Sequence, residues 1–123
     1  MPQTLEQLRA DHAWKKCESC NSDYTKLAKG LPALIMNSGL MQVMAFLHEK
    51  GRKPSQQHCE KLGKDLRAWL HSRFQQAIPD DSFEKFMESL MRAEPRVFQN
   101  ITAEAFAWLR WVRQIAPARQ KAK

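Results

Sequence analysis

Residues that favour sheets are scarce in this chain. It holds three Val, four Ile and three Thr against fourteen Ala, twelve Leu and ten Gln, with only four Gly, a mixture that disfavours a sheet-rich fold and favours helices. Long apolar runs are missing too: the longest reach about five residues, against the roughly 20 that a bilayer span needs. The opening Met1-Pro2-Gln3-Thr4 lacks the basic-then-apolar order of a secretory signal, and the expected location is the cytoplasm. Three cysteines, an odd number, argue against a disulfide framework and for free thiols in a reducing compartment. There is no glycine-rich phosphate loop, and His12, His48, His58 and His71 show no spacing with carboxylates that suggests a general base or a triad. The chain therefore reads as a non-enzyme, with no cofactor and no metal.

What is present suits one folded core. The 123 residues are 43% hydrophobic and 27% charged, the balance of an ordinary globular domain rather than a disordered tail. Thr4-Leu5-Glu6-Gln7 reads as a capping box. Leu5, Leu8, His12, Cys17, Cys20, Tyr24 and Leu27 extend a first helix at helical spacing to a stop at Gly30. Leu31 to Leu47 is apolar on nearly every side, which predicts a central buried segment with Pro32 in its first turn and, at Asn37-Ser38-Gly39, either a bend between two short helices or one helix packed closely at Gly39. After the loop Lys50-Gly51-Arg52-Lys53-Pro54, Ser55 can cap a third helix over about 55–77, with Cys59, Leu62, Leu66, Trp69 and Leu70 facing the core. Asp81 and Glu84 fit the start of a fourth helix at 82–93, with Phe83, Phe86, Met87, Leu90 and Met91 as its buried stripe. A last helix follows Glu94-Pro95 and ends at Pro117. The expected fold is all-α, a compact single-domain bundle of five to six helices over residues 1–123 with a basic, mobile tail at about 117–123.

The formal charge of +7 is localised: residues 45–75 carry +4, residues 76–105 carry −3 and residues 106–123 carry +5. The molecule should have a positive and a negative side, one fit for a polyanion and the other for a basic protein neighbour. On the third helix Lys61, Lys64, Arg67 and His71 fall in the arc opposite the core stripe, an expected cationic ridge continuous with Lys50, Arg52 and Lys53. In register, these charges repel one another unless a polyanion is present, and nucleic-acid backbone is the natural candidate. The plainer alternative is that they only solvate helix surfaces. On the last helix, Phe106, Arg110 and Arg113 lie opposite the core face, where an aromatic flanked by arginines can stack with nucleic acid or anchor a protein interface.

Cys17-Glu18-Ser19-Cys20 has metal-ligand spacing, and His58-Cys59 could add two ligands for tetrahedral zinc. Neighbouring helical residues point about 100° apart, however, which suits one metal poorly. The simpler reading places all three cysteines on buried stripes as small apolar residues. Asp80, Asp81 and Glu84 could hold a cation, though capping is the simpler role.

Leu31-Pro32-Ala33-Leu34-Ile35, then Asn37-Ser38-Gly39-Leu40 and Ala45-Phe46-Leu47 with Lys50, resembles the central signature of the small subunit of the type III-B CRISPR effector, the Cmr complex. Thr102-Ala103-Glu104-Ala105, Trp108-Leu109-Arg110-Trp111-Val112-Arg113 and Ala116 are similar to that family's closing helix. The two blocks cover about a third of the chain. The Cys17 and Cys20 pair departs from the pattern. The resemblance implies an all-helical, non-catalytic protein whose copies stack in a filament beside other Cmr subunits, lining the channel where guide RNA pairs with target RNA. Such a subunit should touch phosphates and sugars rather than base edges. Charge geometry, not the resemblance, selects the contacts: Lys50, Arg52, Lys53, Lys61, Lys64 and Arg67 first, Arg110 and Arg113 second. The competing expectation is a helical adaptor that binds protein alone.

Overall fold

A computed structural model describes residues 2–120 of the protein. Among them are α1 (Leu5–Lys16), α2 (Ser22–Ser38), α3 (Leu40–Lys50), a 3-10 turn (Pro54–Gln56), α4 (Gln57–Arg73), α5 (Phe83–Arg92) and α6 (Pro95–Arg119). The all-α, six-helix architecture matches the composition. The capping box is formed: Thr4 Oγ1 accepts from the Gln7 N–H at 3.1 Å, and Gln7 Oε1 accepts from the Thr4 N–H at 2.8 Å.

The helix boundaries near the start differ from the expected ones. One helix to Gly30 is replaced by a break after Lys16, and α2 starts where Asn21 Oδ1 accepts from the Tyr24 N–H at 2.9 Å. α2 then runs through both Gly30 and Pro32. A helical glycine costs about 1 kcal/mol and an interior proline about 3 kcal/mol, but continuing the helix buries Leu31 and Ile35 along with Tyr24 and Ala28. Gly39 supplies the expected break, at φ 86° with its N–H on the Ile35 carbonyl at 2.7 Å, a left-handed geometry that glycine adopts without strain. Because that break gives α2 and α3 separate inward faces, the Leu31–Leu47 segment is not buried all round: Leu34, Met36 and Phe46 are exposed.

Smaller differences follow the same logic. Neither Ser55 nor Asp81 caps a helix. Ser82 is the residue before α5 and makes no side-chain cap bond, while Asp80 Oδ1 accepts from its N–H at 2.7 Å. Met91, expected on the stripe of α5, is exposed. Pro117 does not end the last helix, which continues to Arg119. The carbonyl that Pro117 leaves without a donor is that of Arg113, an exposed residue that water can reach. The remainder of the expected tail, residues 121–123, lies outside the described residues.

α1 and α6 lie side by side and point the same way, since Arg9 meets Glu104, His12 meets Trp108 and Trp14 meets Arg119. α4 is the central helix, packed against α2, α3, α5 and α6. Between these elements sits His12, 5.1 Å from the Trp69 ring and 5.6 Å from the Trp108 ring. Trp108 Nε1–H donates to His12 Nδ1 at 3.0 Å, so that nitrogen is unprotonated and the ring neutral. Burial first, and then the charge of Lys16, pushes the imidazole from an ordinary 6.5 down to about 4. The unfolded chain therefore takes up this proton at higher pH than the folded one. The stabilisation from a neutral His12 is complete above pH 6.5 and is lost as pH falls through about 4. With solvent screening of a half-buried ring, the loss is about 2 kcal/mol. Urea unfolding at pH 7 and pH 4 should show it, and a His12→Leu variant should lose measurably less on acidification. An equal loss in both proteins would contradict the assignment.

Candidate nucleic-acid interface

The expected cationic ridge of α4 is largely folded inward. Because α4 is central, the arc opposite its core stripe also meets other helices and the chain that follows. Arg67 is 5% exposed. Its Nε–H donates to the Asp81 carbonyl at 2.9 Å, its Nη2 to Glu60 Oε2 at 3.4 Å, and its guanidinium lies 5.9 Å from the Phe83 ring centre. Lys61 is clamped as well, with Nζ donating to Asp65 Oδ2 at 2.8 Å and to the Lys16 carbonyl at 2.9 Å. Asp65 itself is buried and accepts from the Tyr24 hydroxyl at 2.8 Å. Burial, and then the charge of Asp65, push the Tyr24 phenol far above its ordinary range. His71 donates Nδ1–H to the Ile78 carbonyl at 2.7 Å. The ridge is thus corrected to a single exposed cation, Lys64.

What stays open is the loop before it. Arg52 and Lys53 are exposed, and Lys50 rests its ammonium 5.2 Å from the centre of the Phe46 ring. Among the described residues Arg52, Lys53 and Lys64 make no ion pair. The loop is held tightly to α4: a Cβ on Gly51 would fall 2.6 Å from the Glu60 backbone nitrogen, a distance that only glycine allows. Glu60 is fixed in turn by His48, whose ring stacks on Phe83 at 3.9 Å and whose Nδ1 is 3.0 Å from Glu60 Oε1. The result is an open cleft of about 560 Å³, lined by Ser19, Asn21, Gly51, His58, Lys61 and Lys64 among others.

The last helix carries a second basic face with a change. Arg110 and Arg113 are exposed as expected, but Phe106 is only half-exposed and packs against the core. Missed from the sequence was Arg119, whose guanidinium lies 4.2 Å from the centre of the exposed Trp14 ring and donates to the Trp14 carbonyl at 2.8 Å. Nothing in the helical spacing linked two residues that lie 105 positions apart.

Cys17, Cys20 and Cys59 are buried free thiols. Desolvation pushes Cys17 up to about 12 and Cys59 upward. Cys20 Sγ donates to the Ala116 carbonyl at 3.3 Å. Among the described residues no three of His, Cys, Asp or Glu come together to hold a metal ion, and no helix is long and apolar enough to cross a membrane.

A family model described as CRISPR-associated protein (Cas_Cmr5) matches residues 5–119. The chain belongs to the Cmr5 family. The CRISPR system Cmr subunit Cmr5 of Thermus thermophilus is 26% identical over 120 residues, spanning 94% of this chain and 95% of that one. The crystal structure of a CRISPR-associated Cmr5 family protein from the same organism superposes with a TM-score of 0.71 at 25% identity, covering 97% of this chain and 100% of the other. The resemblance to the small subunit of the type III-B effector is borne out. As a Cmr5 family member this chain is a subunit of the Cmr complex of CRISPR defence.

Proposed function

We propose that this Cmr5 family member is a non-catalytic, cytoplasmic subunit of a type III-B ribonucleoprotein. It touches the sugar-phosphate backbone of guide RNA and target RNA through Lys50, Arg52, Lys53 and Lys64, with Arg110 and Arg113 as a second set, and stacks with further copies of itself beside other Cmr subunits. The observation that carries the reading is that Arg52, Lys53 and Lys64 are exposed and make no ion pair among the described residues, with Lys64 on the wall of the cleft that Gly51 of the same loop also lines. Lys61 and Arg67 leave the contact set, because their donors already hold the fold together. The segment 76–105, at a net −3, would repel RNA and suits a basic protein neighbour.

Contacts of this kind ignore sequence and respond to salt. Binding of the purified protein to a short fluorescent RNA should weaken linearly in log affinity against log salt, by about 0.7–0.9 of slope for each phosphate contacted. Reversing Arg52, Lys53 and Lys64 together to Glu should flatten that slope by about two units. An unchanged slope would overturn the reading. The inward turn of Lys61 and Arg67 gives the protein-only adaptor some support. In that case the triple reversal would leave assembly with the other Cmr subunits and target capture both intact.

A further inference from the structure

Where α2 and α3 part at Gly39, their outer faces leave apolar side chains uncovered. Leu34 on α2 is 40% exposed and Phe46 on α3 is 44% exposed. They flank an open groove of about 230 Å³ whose remaining walls are Ser38, Gln42 and the buried Val43. Lys50 stands one turn beyond Phe46 and holds its ammonium 5.2 Å from the ring centre, yet it does not line the groove. The groove side of the ring is therefore free of the lysine. Beyond Lys50 the chain turns tightly, with the Arg52 N–H on the Glu49 carbonyl at 3.3 Å and the Lys53 N–H on the Lys50 carbonyl at 3.2 Å. Such a turn keeps the Lys50 and Lys53 Cα atoms within about 7 Å. Arg52 and Lys53, which are exposed and make no ion pair among the described residues, thus stand at the same end of α3 as Phe46. Glu49 is the only acidic residue from 46 to 53.

An open aromatic face beside unpaired cations fits a nucleic-acid strand, whose bases stack and whose phosphates are anionic. A protein partner fits less well. Two partly exposed side chains are far short of the about 800 Å² per partner that a stable protein interface buries, and the groove is smaller than the roughly 300 Å³ at which small-ligand pockets begin. We infer that the groove is a stacking site for one unpaired base of single-stranded RNA. Phe46 supplies the ring, Leu34 and Val43 the apolar support, and Lys50, Arg52 and Lys53 meet the flanking phosphates. The inference rests on the RNA-contact reading and adds a base to its backbone contacts. Because every base has a π face, the site takes any sequence. Bases inside a duplex are withheld from it, since their neighbours in the stack cover both faces.

The test measures binding of the full chain to a fluorescent oligouridine strand and to an abasic strand of the same length, which keeps the phosphates and lacks the bases. Phe46→Ala should weaken binding to the uridine strand by about 5- to 150-fold at fixed salt, with the salt slope unchanged because no phosphate contact is lost. Phe46→Tyr should bind as wild type. On the abasic strand Phe46→Ala and wild type should bind alike. Circular dichroism of each variant verifies the helical fold. Equal affinity of wild type and folded Phe46→Ala for the uridine strand would overturn the inference. So would an equal loss on both strands, or a loss that comes with a flattened salt slope, since either assigns Phe46 to placing Lys50. If Phe46→Ala instead keeps its RNA affinity and copurifies with less of the other Cmr subunits, the groove is a protein contact and the inference falls. RNA binding that ignores salt in the wild type would overturn the phosphate contacts and this inference with them, whereas absence of the Phe46 effect alone overturns only the base contact.

Discussion

Replacing Glu104 with Ala should lower the free energy of unfolding by about 3–5 kcal/mol, the range for removing one member of a buried ion pair. Glu104 is 7% exposed and stands on α6. Its carboxylate accepts from Arg9 Nε at 2.6 Å and Nη2 at 2.8 Å, and from Trp69 Nε1 at 3.1 Å. Those bonds tie α1, α4 and α6 at one point. Without the carboxylate, a half-buried guanidinium keeps only the exposed Glu6, 2.7 Å away, and a buried indole N–H loses its acceptor. The loss is chiefly a desolvation penalty on the groups left behind. The double variant Arg9→Leu with Glu104→Leu should therefore be more stable than Glu104→Ala alone, although it lacks both charges. Urea denaturation of the three proteins checks this ordering, and a Glu104→Ala midpoint equal to the wild type would refute it.

Trp108→Ala should cost a similar amount, about 3–5 kcal/mol, because the indole is fully buried and its removal opens a cavity between α1, α4 and α6. This substitution has a second signature. It removes the donor to His12 Nδ1 and admits water beside the ring, so the histidine should titrate closer to its ordinary 6.5 than to about 4. Trp108→Phe should fill most of the volume and cost less, while still lacking the indole N–H. An NMR titration of His12 alongside thermal unfolding separates the two effects. If His12 titrates alike in the wild type and Trp108→Ala, the indole is not what holds the ring neutral.

The parts of the fold written in local chemistry were readable. The Thr4 capping box, the break at Gly39, the core stripe of α4 from Cys59 to Leu70 and the start of α6 at Pro95 each depend on a few adjacent residues, and each is formed. Gly30 and Pro32 misled because burial of their neighbours outweighs local preference, and no window of ten residues reports that burial; Pro117 misled because the carbonyl it leaves without a donor, that of Arg113, lies where water reaches it. The site was harder to read for a related reason. A helical wheel divides a helix into one buried and one wet side, and α4 has helices on most of its circumference. Arg67 and Lys61 find acceptors in Asp81, Glu60, Asp65 and Lys16, up to 45 positions away. The loop Lys50 to Lys53 and Lys64 survived as candidates because they lie where no other element covers them. Counting residues could reveal the excess of cations but not which were already engaged.

The common direction of α1 and α6 bears on the electric field outside the protein. Helix macrodipoles add when helices run parallel, so the partial negative charge at both carboxyl ends gathers at one pole of the molecule. That pole is where Lys61 donates to the Lys16 carbonyl and Arg119 to the Trp14 carbonyl, each cation compensating a helix terminus rather than facing solvent freely. The formal +7 therefore overstates the attraction a polyanion would feel at this pole. Long-range steering should come more from Arg52 and Lys53 of the α3–α4 connection, which make no ion pair among the described residues, than from the sum of charges in the chain.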